Sequence, residues 1–460
     1  MSTLEGLLSD ASGFIWGPWL LIPLLLLTGL YLTVLLRGLQ VRRLGLAFWL
    51  AFVKRSDSGE GDISHYQALS TALAATVGVG NIAGVATAIS LGGPGAVLWM
   101  WCTGLVGMAT KYSEALLGVR FRRTDAAGEQ SGGPMYYLRR GIKGPLGVFL
   151  GGFFAIAGVF ASFGIGNMTQ ANTVAANVND QWDVAAPVTG VVLVVLAAAV
   201  IVGGIKSIGR VTSILVPAMI VVYILGAAGV LALNIGEVPG AFGTIVSDAF
   251  SGTSATGGFA GAAVAAAIRY GVARGIFSNE SGLGTGGIAA AAAKTTHPVR
   301  QALVSMTQTF IDTLVVVSFT ALTIVVTGVW KDAGPDEAAS FTARAFAQGL
   351  PGTWGSIIVT LAVMFFAFST LLGWSYYGER CMEYLFGRKA VLPYRIAFII
   401  VIYIGATTAL TTVWTFSDVM NGLMALPNLI GLVILSPLIY RETRAYFSAE
   451  HKDHIREPKR

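Results

Sequence analysis

The chain has 460 residues, of which 54% are hydrophobic and only 12% charged, with a mean hydropathy of +0.70. Soluble domains carry about 25% charged residues, so the composition excludes an ordinary soluble fold and points to an all-α polytopic membrane protein. The net charge of +6 fits membrane orientation, because basic residues gather in cytoplasmic loops; no nucleic-acid partner is expected. Cys102 and Cys381 have neither CxxC spacing nor a disulfide framework. His65, His297, His451 and His454 form no HExxH or similar ligand cluster, so no resident metal or other cofactor is expected.

The acidic start, Met1 to Asp10, lacks the basic region of a signal peptide. Phe14 to Leu36 is therefore expected as a retained span. Arg37, Arg42, Arg43, Lys54 and Arg55 follow it, which puts the first loop in the cytoplasm and the N-terminus outside. Ten more segments, core helices 1 to 10, are expected near 64–90, 95–118, 148–178, 185–204, 211–233, 256–293, 299–328, 354–380, 394–412 and 418–440. Of 30 Lys and Arg, only Lys331 and Arg344 fall in loops expected outside, while Arg269 and Arg274 lie within core helix 6. This alternation supports eleven spans with the C-terminus inside. Residues 1–62 then hold the first span and its basic loop, 63–235 core helices 1–5, 236–440 core helices 6–10, and 441–460 a basic tail. Between core helices 7 and 8, Ala338, Phe341, Ala345 and Phe346 recur at the spacing of a short amphipathic helix. Such a helix suits either a lid or a plain surface element.

Core helix 1 carries Gly78-Val79-Gly80-Asn81 in the middle of its apolar run. Each glycine costs a helix roughly 1 kcal/mol relative to Ala. In hydrocarbon, a broken helix is tolerated only where the freed backbone groups face protein or a watery cavity. The spacing Gly80-xxx-Gly84 also suits close helix packing. Core helix 6 has its own interruption, Arg274 to Gly287, with Gly275, Gly282 and Gly284, and with Asn279 and Ser281 as natural caps. Helices 1 and 6 each open a set of five, and the expected topology runs the two sets through the membrane in opposite senses. Paired interrupted segments in inverted repeats point to the site of a secondary transporter.

The chemistry follows from the helix termini. Amides near Gly80 and Asn81 suit a carboxylate, and carbonyls from Ala75 to Gly78 suit a cation or an ammonium group. A zwitterionic amino acid presents one group of each sign. Core helix 8 adds Ser369-Thr370 inside an apolar run, a candidate cation site, although such hydroxyls usually bond back to the preceding turn. Core helix 3 is unusually polar, with Asn167 and Gln170 three apart and expected on one face. Hydrogen bonding between helices is the alternative role for both.

"TALAATVGVGNIAGVATAISLGGPGAVLWMW" with "KYSEALLGVRFR", then "SGGPMYYL", then "FSNESGLGT" resembles the alanine or glycine:cation symporter family over nearly the whole chain. The resemblance implies sodium-coupled symport of alanine, glycine or both, with the sodium ion as coupling ion. It also implies a leucine-transporter-type five-plus-five inverted repeat with one extra N-terminal helix. Carried over by motif, substrate contacts come from Thr76, Gly78, Gly80, Asn81, Phe163, Asn167, Gln170, Phe277, Ser278 and Trp374. The sodium site takes the carbonyls of Ala75 and Gly78 with Phe366, Ser369 and Thr370. Phe277 and Trp374 would exclude larger side chains as pocket walls; both also fit as core aromatics.

Ionisable residues inside a membrane are functional candidates by default. Glu280 lies in the helix 6 break, where an ion pair with Arg274 is expected; proton coupling through Glu280 is the alternative. Asp312, with Thr309 and Thr313 nearby, could orient a gate or bind Arg269 or Arg274. Glu114, Glu379 and Glu383 are expected in ion pairs at cytoplasmic helix ends. The reading is a secondary transporter of the cell membrane working by alternating access. A sensor is disfavoured because no sizeable soluble domain is present, and an enzyme because no nucleophile–base pair is evident.

Overall fold

In the computed structural model, which describes residues 3–251, 260–331, 341–408 and 411–448, the apolar segments fold as helices. Among the described residues the strands form one short antiparallel hairpin, Arg123–Thr124 with Gln130–Ser131. The expected first span, Phe14 to Leu36, is helical over Leu21–Leu35, a separate helix Thr3–Ile15 precedes it, and the basic loop after it is itself largely helical, Leu39–Arg42 and Leu44–Lys54. Core helix 1 runs His65–Thr76, one tight turn Val79–Asn81, then Ala83–Gly92. Ser64 and Gln67 start it with a reciprocal capping box, Gln67 N–H to Ser64 Oγ at 3.2 Å and Ser64 N–H to Gln67 Oε1 at 3.0 Å. Core helix 2 is Ala96–Arg120. Core helix 3 runs through Pro145–Phe163, a π-helical turn Gly164–Met168 and Thr169–Trp182.

Core helices 4 and 5 are Ala186–Ile201 and Gly204–Leu233. Core helix 6 divides into Ala260–Asn279 and Thr285–Ala291, and its expected beginning at 256 lies outside the described residues. Core helix 7 joins Pro298–Thr309, a π-helical segment Phe310–Val317 and Ser318–Thr327. Core helices 8, 9 and 10 are Trp354–Phe386, Val391–Thr407 and Thr411–Ile434, and Ser436–Tyr446 follows as a short polar helix. Among the described residues, six helices are long and apolar enough to cross a membrane. The chain is a multi-pass membrane protein.

Core helix 2 packs along core helices 6 and 7, and core helix 8 lies between core helices 3 and 5 and against the first half of core helix 1. That arrangement brings both interrupted helices beside core helix 8. The amphipathic helix expected before core helix 8 is Phe341–Gly349, with Phe341, Ala345 and Phe346 fully buried; Ala338 lies outside the described residues. Its Thr342 hydroxyl donates to the Ile82 carbonyl at 3.2 Å, so this helix touches the interruption of core helix 1 directly.

One end of the bundle carries an ion network. Arg380 is fully buried and donates to Glu379 at 2.5 Å, Glu383 at 2.9 Å and Glu129 at 2.9 Å. Arg388 reaches Asp125 and Glu129 from the far side, and Arg395 reaches Glu379. Glu379 and Glu383 therefore sit in ion pairs. Burial raises the affinity of the loop carboxylates for a proton, but hydrogen bonds outweigh it. For Asp125 these come from the Glu129 and Ala127 amides, and for Glu129 from Arg388 and Arg380; both end below the usual carboxylate range. The network fastens the hairpin between core helices 2 and 3 to core helix 8.

Candidate functional site

The interruption of core helix 1 is locally self-capped. The Gly78 amide donates to Asn81 Oδ1 at 2.9 Å, and the Asn81 amide donates to the Gly78 carbonyl at 3.1 Å. Asn81 then turns its Nδ2 toward Asp312 of core helix 7, donating to Oδ1 at 2.8 Å. Gly78 must be glycine for contact rather than for backbone angle. A Cβ there would stand 2.5 Å from the Thr370 hydroxyl oxygen of core helix 8. Gly78→Ala should therefore destabilise by about 1–3 kcal/mol, the usual range for overpacking. Thermal melting in detergent checks this, and adding Thr370→Ala should recover part of the loss; a loss unchanged in the double variant removes the close-contact account.

The interruption of core helix 6 is satisfied from a distance. Glu280 ends the first half in the left-handed region, φ 55°, where a side-chain-bearing residue costs about 1–2 kcal/mol. Gly282 and Gly284 continue at φ 99° and 90°. The caps expected from Asn279 and Ser281 do not form at the second half, because Gly284 occupies the cap position. Glu114 of core helix 2 reaches across instead and accepts from the Gly282 and Gly284 amides at 2.8 and 3.0 Å. Asn428 of core helix 10 donates to the same Glu114 oxygen at 2.9 Å and to the Gly282 carbonyl at 2.8 Å. Lys111 donates to the Glu280 carbonyl at 3.1 Å and lies 3.8 Å from the second Glu114 oxygen. Glu114 thus pairs with Lys111 and, beyond the expected ion pair, caps the second half of core helix 6.

Core helix 7 staples the two interruptions together. Gln308 Nε2 donates to the Thr76 hydroxyl at 2.9 Å and to the Asn279 carbonyl at 3.2 Å. One turn on, Asp312 accepts from Asn81 on core helix 1 and from Ser278 on core helix 6, each at 2.8 Å. Thr309 and Thr313 bond Ser281 and Asn279. Asp312 thus bridges the helices through Asn81 and Ser278, in place of the pairing with Arg269 or Arg274 considered from sequence. Gln308 was not singled out from sequence, although the polar repeat Gln301, Ser305, Gln308, Asp312 is visible in the chain.

Between these elements lies a cavity of about 20 Å³, little more than the space one water needs. Ala75, Thr76, Gly78, Gly80, Gln170, Phe277, Thr370 and Trp374, all expected at the site, line it together. Glu280 and Asn421 of core helix 10 line it too. Asn421 and Asn428 stand seven apart in core helix 10, a same-face pair that the chain already displays. The buried amide oxygens of Gln170 and Asn421 have no hydrogen-bond partner among the described residues.

Four expected substrate contacts lie elsewhere. Asn81 and Ser278 are committed to Asp312. Asn167 donates to the Phe398 carbonyl of core helix 9 at 2.7 Å, and the Phe163 ring packs on Tyr394 and Phe398. The π-helical turn of core helix 3 accompanies this divergence of Asn167 from Gln170. Beside the cavity, the Ser369 and Thr370 hydroxyls each donate to the Ala74 carbonyl at 3.2 Å and to the Phe366 carbonyl at 2.9 and 3.0 Å. Two carbonyls and two hydroxyls thus converge, with Ala74 an oxygen the sequence reading did not single out.

The expected Arg274–Glu280 ion pair does not form. Glu280 is held by the Thr285 hydroxyl at 2.6 Å, whereas the Arg274 guanidinium lies 5.7 Å from the Phe277 ring centre on its other side. There Arg274 lines a separate cavity of about 140 Å³ with Arg269, Trp16 and Asp418. Phe277 lines both cavities.

The sodium:alanine symporter family profile matches residues 1–459. The sodium/alanine symporter AgcS of Methanococcus maripaludis is 53% identical over 444 residues, covering 96% of each chain. An uncharacterized transporter of Haemophilus influenzae is 48% identical, over 97% of this chain and 96% of that one. The amino-acid carrier protein AlsT of Bacillus subtilis is 35% identical, over 97% and 92%. Among solved structures, a manganese transporter of Eremococcus coleocola aligns with a TM-score of 0.48 at 14% identity, over 89% and 86%. A multi-pass membrane protein that matches sodium/alanine symporters along its whole length is a transporter. The chain belongs to the sodium:alanine symporter family.

Proposed function

We propose that this protein couples sodium entry to uptake of alanine and glycine across the plasma membrane by alternating access. The observation that carries the reading is the meeting of two interrupted helices at one small, mostly capped cavity. The supporting frame is eleven spans, N-terminus outside and C-terminus inside, with 63–235 and 236–440 as inverted repeats. In this reading the carboxylate of the amino acid meets the backbone near Gly78 and Gly80. Its ammonium group meets the partnerless oxygens of Gln170 and Asn421. Phe277 and Trp374 wall the side-chain end, which restricts it to hydrogen or methyl.

Sodium would replace the hydrogen bonds now made between core helices 1 and 8, the hydroxyls keeping their hydrogens and turning lone pairs toward the ion. The oxygens of Ser369, Thr370, Ala74 and Phe366 would face the ion, with the Ala75 and Gly78 carbonyls at the same helix end. An ion so placed holds the two helices together and favours the substrate-competent state. Coupling requires such a shared state preference.

The test is uptake of labelled alanine into proteoliposomes under a sodium gradient and, separately, a proton gradient with potassium replacing sodium. Sodium-driven accumulation blocked by glycine but not leucine is the expected result. Ser369→Ala with Thr370→Ala should raise the half-saturating sodium concentration about tenfold or more, equivalent to about 1.4 kcal/mol. An unchanged sodium dependence would mean the ion binds elsewhere. A proton-coupled reading has one observation in its favour, the Glu280 side chain at the cavity wall. Glu280→Gln separates the two: sodium-driven accumulation that persists in this variant removes proton coupling through Glu280.

A further inference from the structure

At the end of the helix Leu21–Leu35, four arginines line one cavity of about 440 Å³: Arg37, Arg42, Arg43 and Arg444. No carboxylate of the described residues lines it. The acidic residue of the neighbouring short helix, Glu442, is engaged with Arg120 at 3.3 Å. Arg42 donates to the Arg37 carbonyl at 3.3 Å, and Arg43 lies 4.6 Å from the Phe447 ring centre. Two of the four guanidinium groups are therefore positioned by carbonyl and ring contacts, and no carboxylate among the described residues lines the cavity to offset their mutual repulsion.

The same helix, whose end contributes Leu35 and Leu36 to this cavity, carries a second feature one turn earlier. Leu27, Leu30, Tyr31 and Val34 are 63%, 51%, 44% and 69% exposed, and their spacing places them on one helix face. The strip ends at Val34, one residue before Leu35, which lines the cavity with the arginines. A molecule complementary to both has an anionic head and a hydrocarbon tail.

We propose that this groove binds a glycerophospholipid with an anionic headgroup, its phosphate among the four arginines and an acyl chain along Leu27 to Val34. Basic pockets between membrane helices suit such headgroups, and each arginine near the surface contributes roughly a five-fold gain in affinity. A free phosphate would satisfy the arginines but leave the apolar strip unused, which is why the lipid is favoured. The site shares no lining residue with either cavity at Phe277.

Native mass spectrometry of the full-length protein in neutral detergent tests the proposal, with phosphatidylglycerol and phosphatidylcholine added in equal amounts. Phosphatidylglycerol should be retained at least ten-fold more. Arg42→Gln, Arg43→Gln and Arg444→Gln together should lower its affinity about 100-fold, given five-fold per charge, while the triple lysine variant keeps most of the preference. Val34→Ser with Leu30→Ser should weaken retention of the lipid without changing glycerol 3-phosphate binding. If the triple glutamine variant does not fold, Arg43→Gln alone should lose about five-fold. Equal retention of both lipids, or an undiminished preference in a folded glutamine variant, overturns the proposal. So does competition by glycerol 3-phosphate as strong as by the lipid, which would make this a soluble-phosphate site.

Discussion

Asp312→Ala should destabilise the folded protein by about 3–5 kcal/mol, because it strips the acceptor from three buried donors at once. Asn81, Ser278 and Thr313 each donate to this carboxylate at 2.8 Å, and a buried donor left unpaired costs about 1–3 kcal/mol. Two of these donors belong to the interrupted helices, so the loss should appear at the site and not only in global stability. Asp312→Asn is the informative companion. Its oxygen can still accept from Asn81, and its NH₂ group can donate to hydroxyls that rotate to accept. It should cost about 1 kcal/mol, the net worth of one hydrogen bond. Melting in detergent, with uptake measured on the same preparations, checks both. An alanine variant within about 1 kcal/mol of the parent would show that Asp312 does not tie the interruptions together.

Glu114→Ala should be of similar severity, about 3–5 kcal/mol, the range for breaking a buried charged pair by removing one partner. The Gly282 and Gly284 amides and Asn428 Nδ2 would lose their shared acceptor, and Lys111 would lose the carboxylate 3.8 Å away. The second half of core helix 6, only Thr285–Ala291, is too short to hold its own terminus without that cap. Amide exchange over 282–291 should therefore rise more than exchange elsewhere. Glu114→Gln keeps one acceptor oxygen and should retain part of the protection. Replacing Lys111 and Glu114 together by Met and Leu separates charge from capping. If that pair restores stability but not protection at 282–291, the cap is the essential role. Protection that survives Glu114→Ala unchanged would leave the half-helix anchored by other contacts.

Much of this architecture is legible in the chain because its causes are local. Gly78, Gly80, Gly282 and Gly284 stand out within apolar runs, and both interruptions occur where those residues fall. Ser64 and Gln67 mark the start of core helix 1 three residues apart, which a capping box requires. The first span differs in one respect: it is expected from Phe14, but Gly17 and Pro18 lie in a turn after Thr3–Ile15 and its helix begins only at Leu21. At the site, Gln170, Phe277, Trp374 and Thr370 reach the cavity, and Glu280 joins them without the arginine assigned to it.

The capping partners could not be read in this way. Glu114 lies 168 residues from the Gly282 amide it caps and 314 from Asn428. Sequence spacing carries no information about a hydrogen bond made across packed helices. Freed backbone groups in a membrane protein must be paired internally, and any polar side chain on a facing helix can do it.

The sequence by itself determined the class of protein, the helical segments and the two interruptions, since hydropathy and glycine act within a few residues. Only the tertiary structure decided which polar side chains face the cavity and which face one another. Asn81 and Ser278 turn to Asp312, Asn167 turns to core helix 9, and Arg274 lies on the far side of Phe277 from Glu280. The reason is rotational. Each added residue turns a helix by about 100°, so the π-helical turns at 164–168 and 310–317 redirect everything after them. Packing against neighbouring helices fixes that rotation.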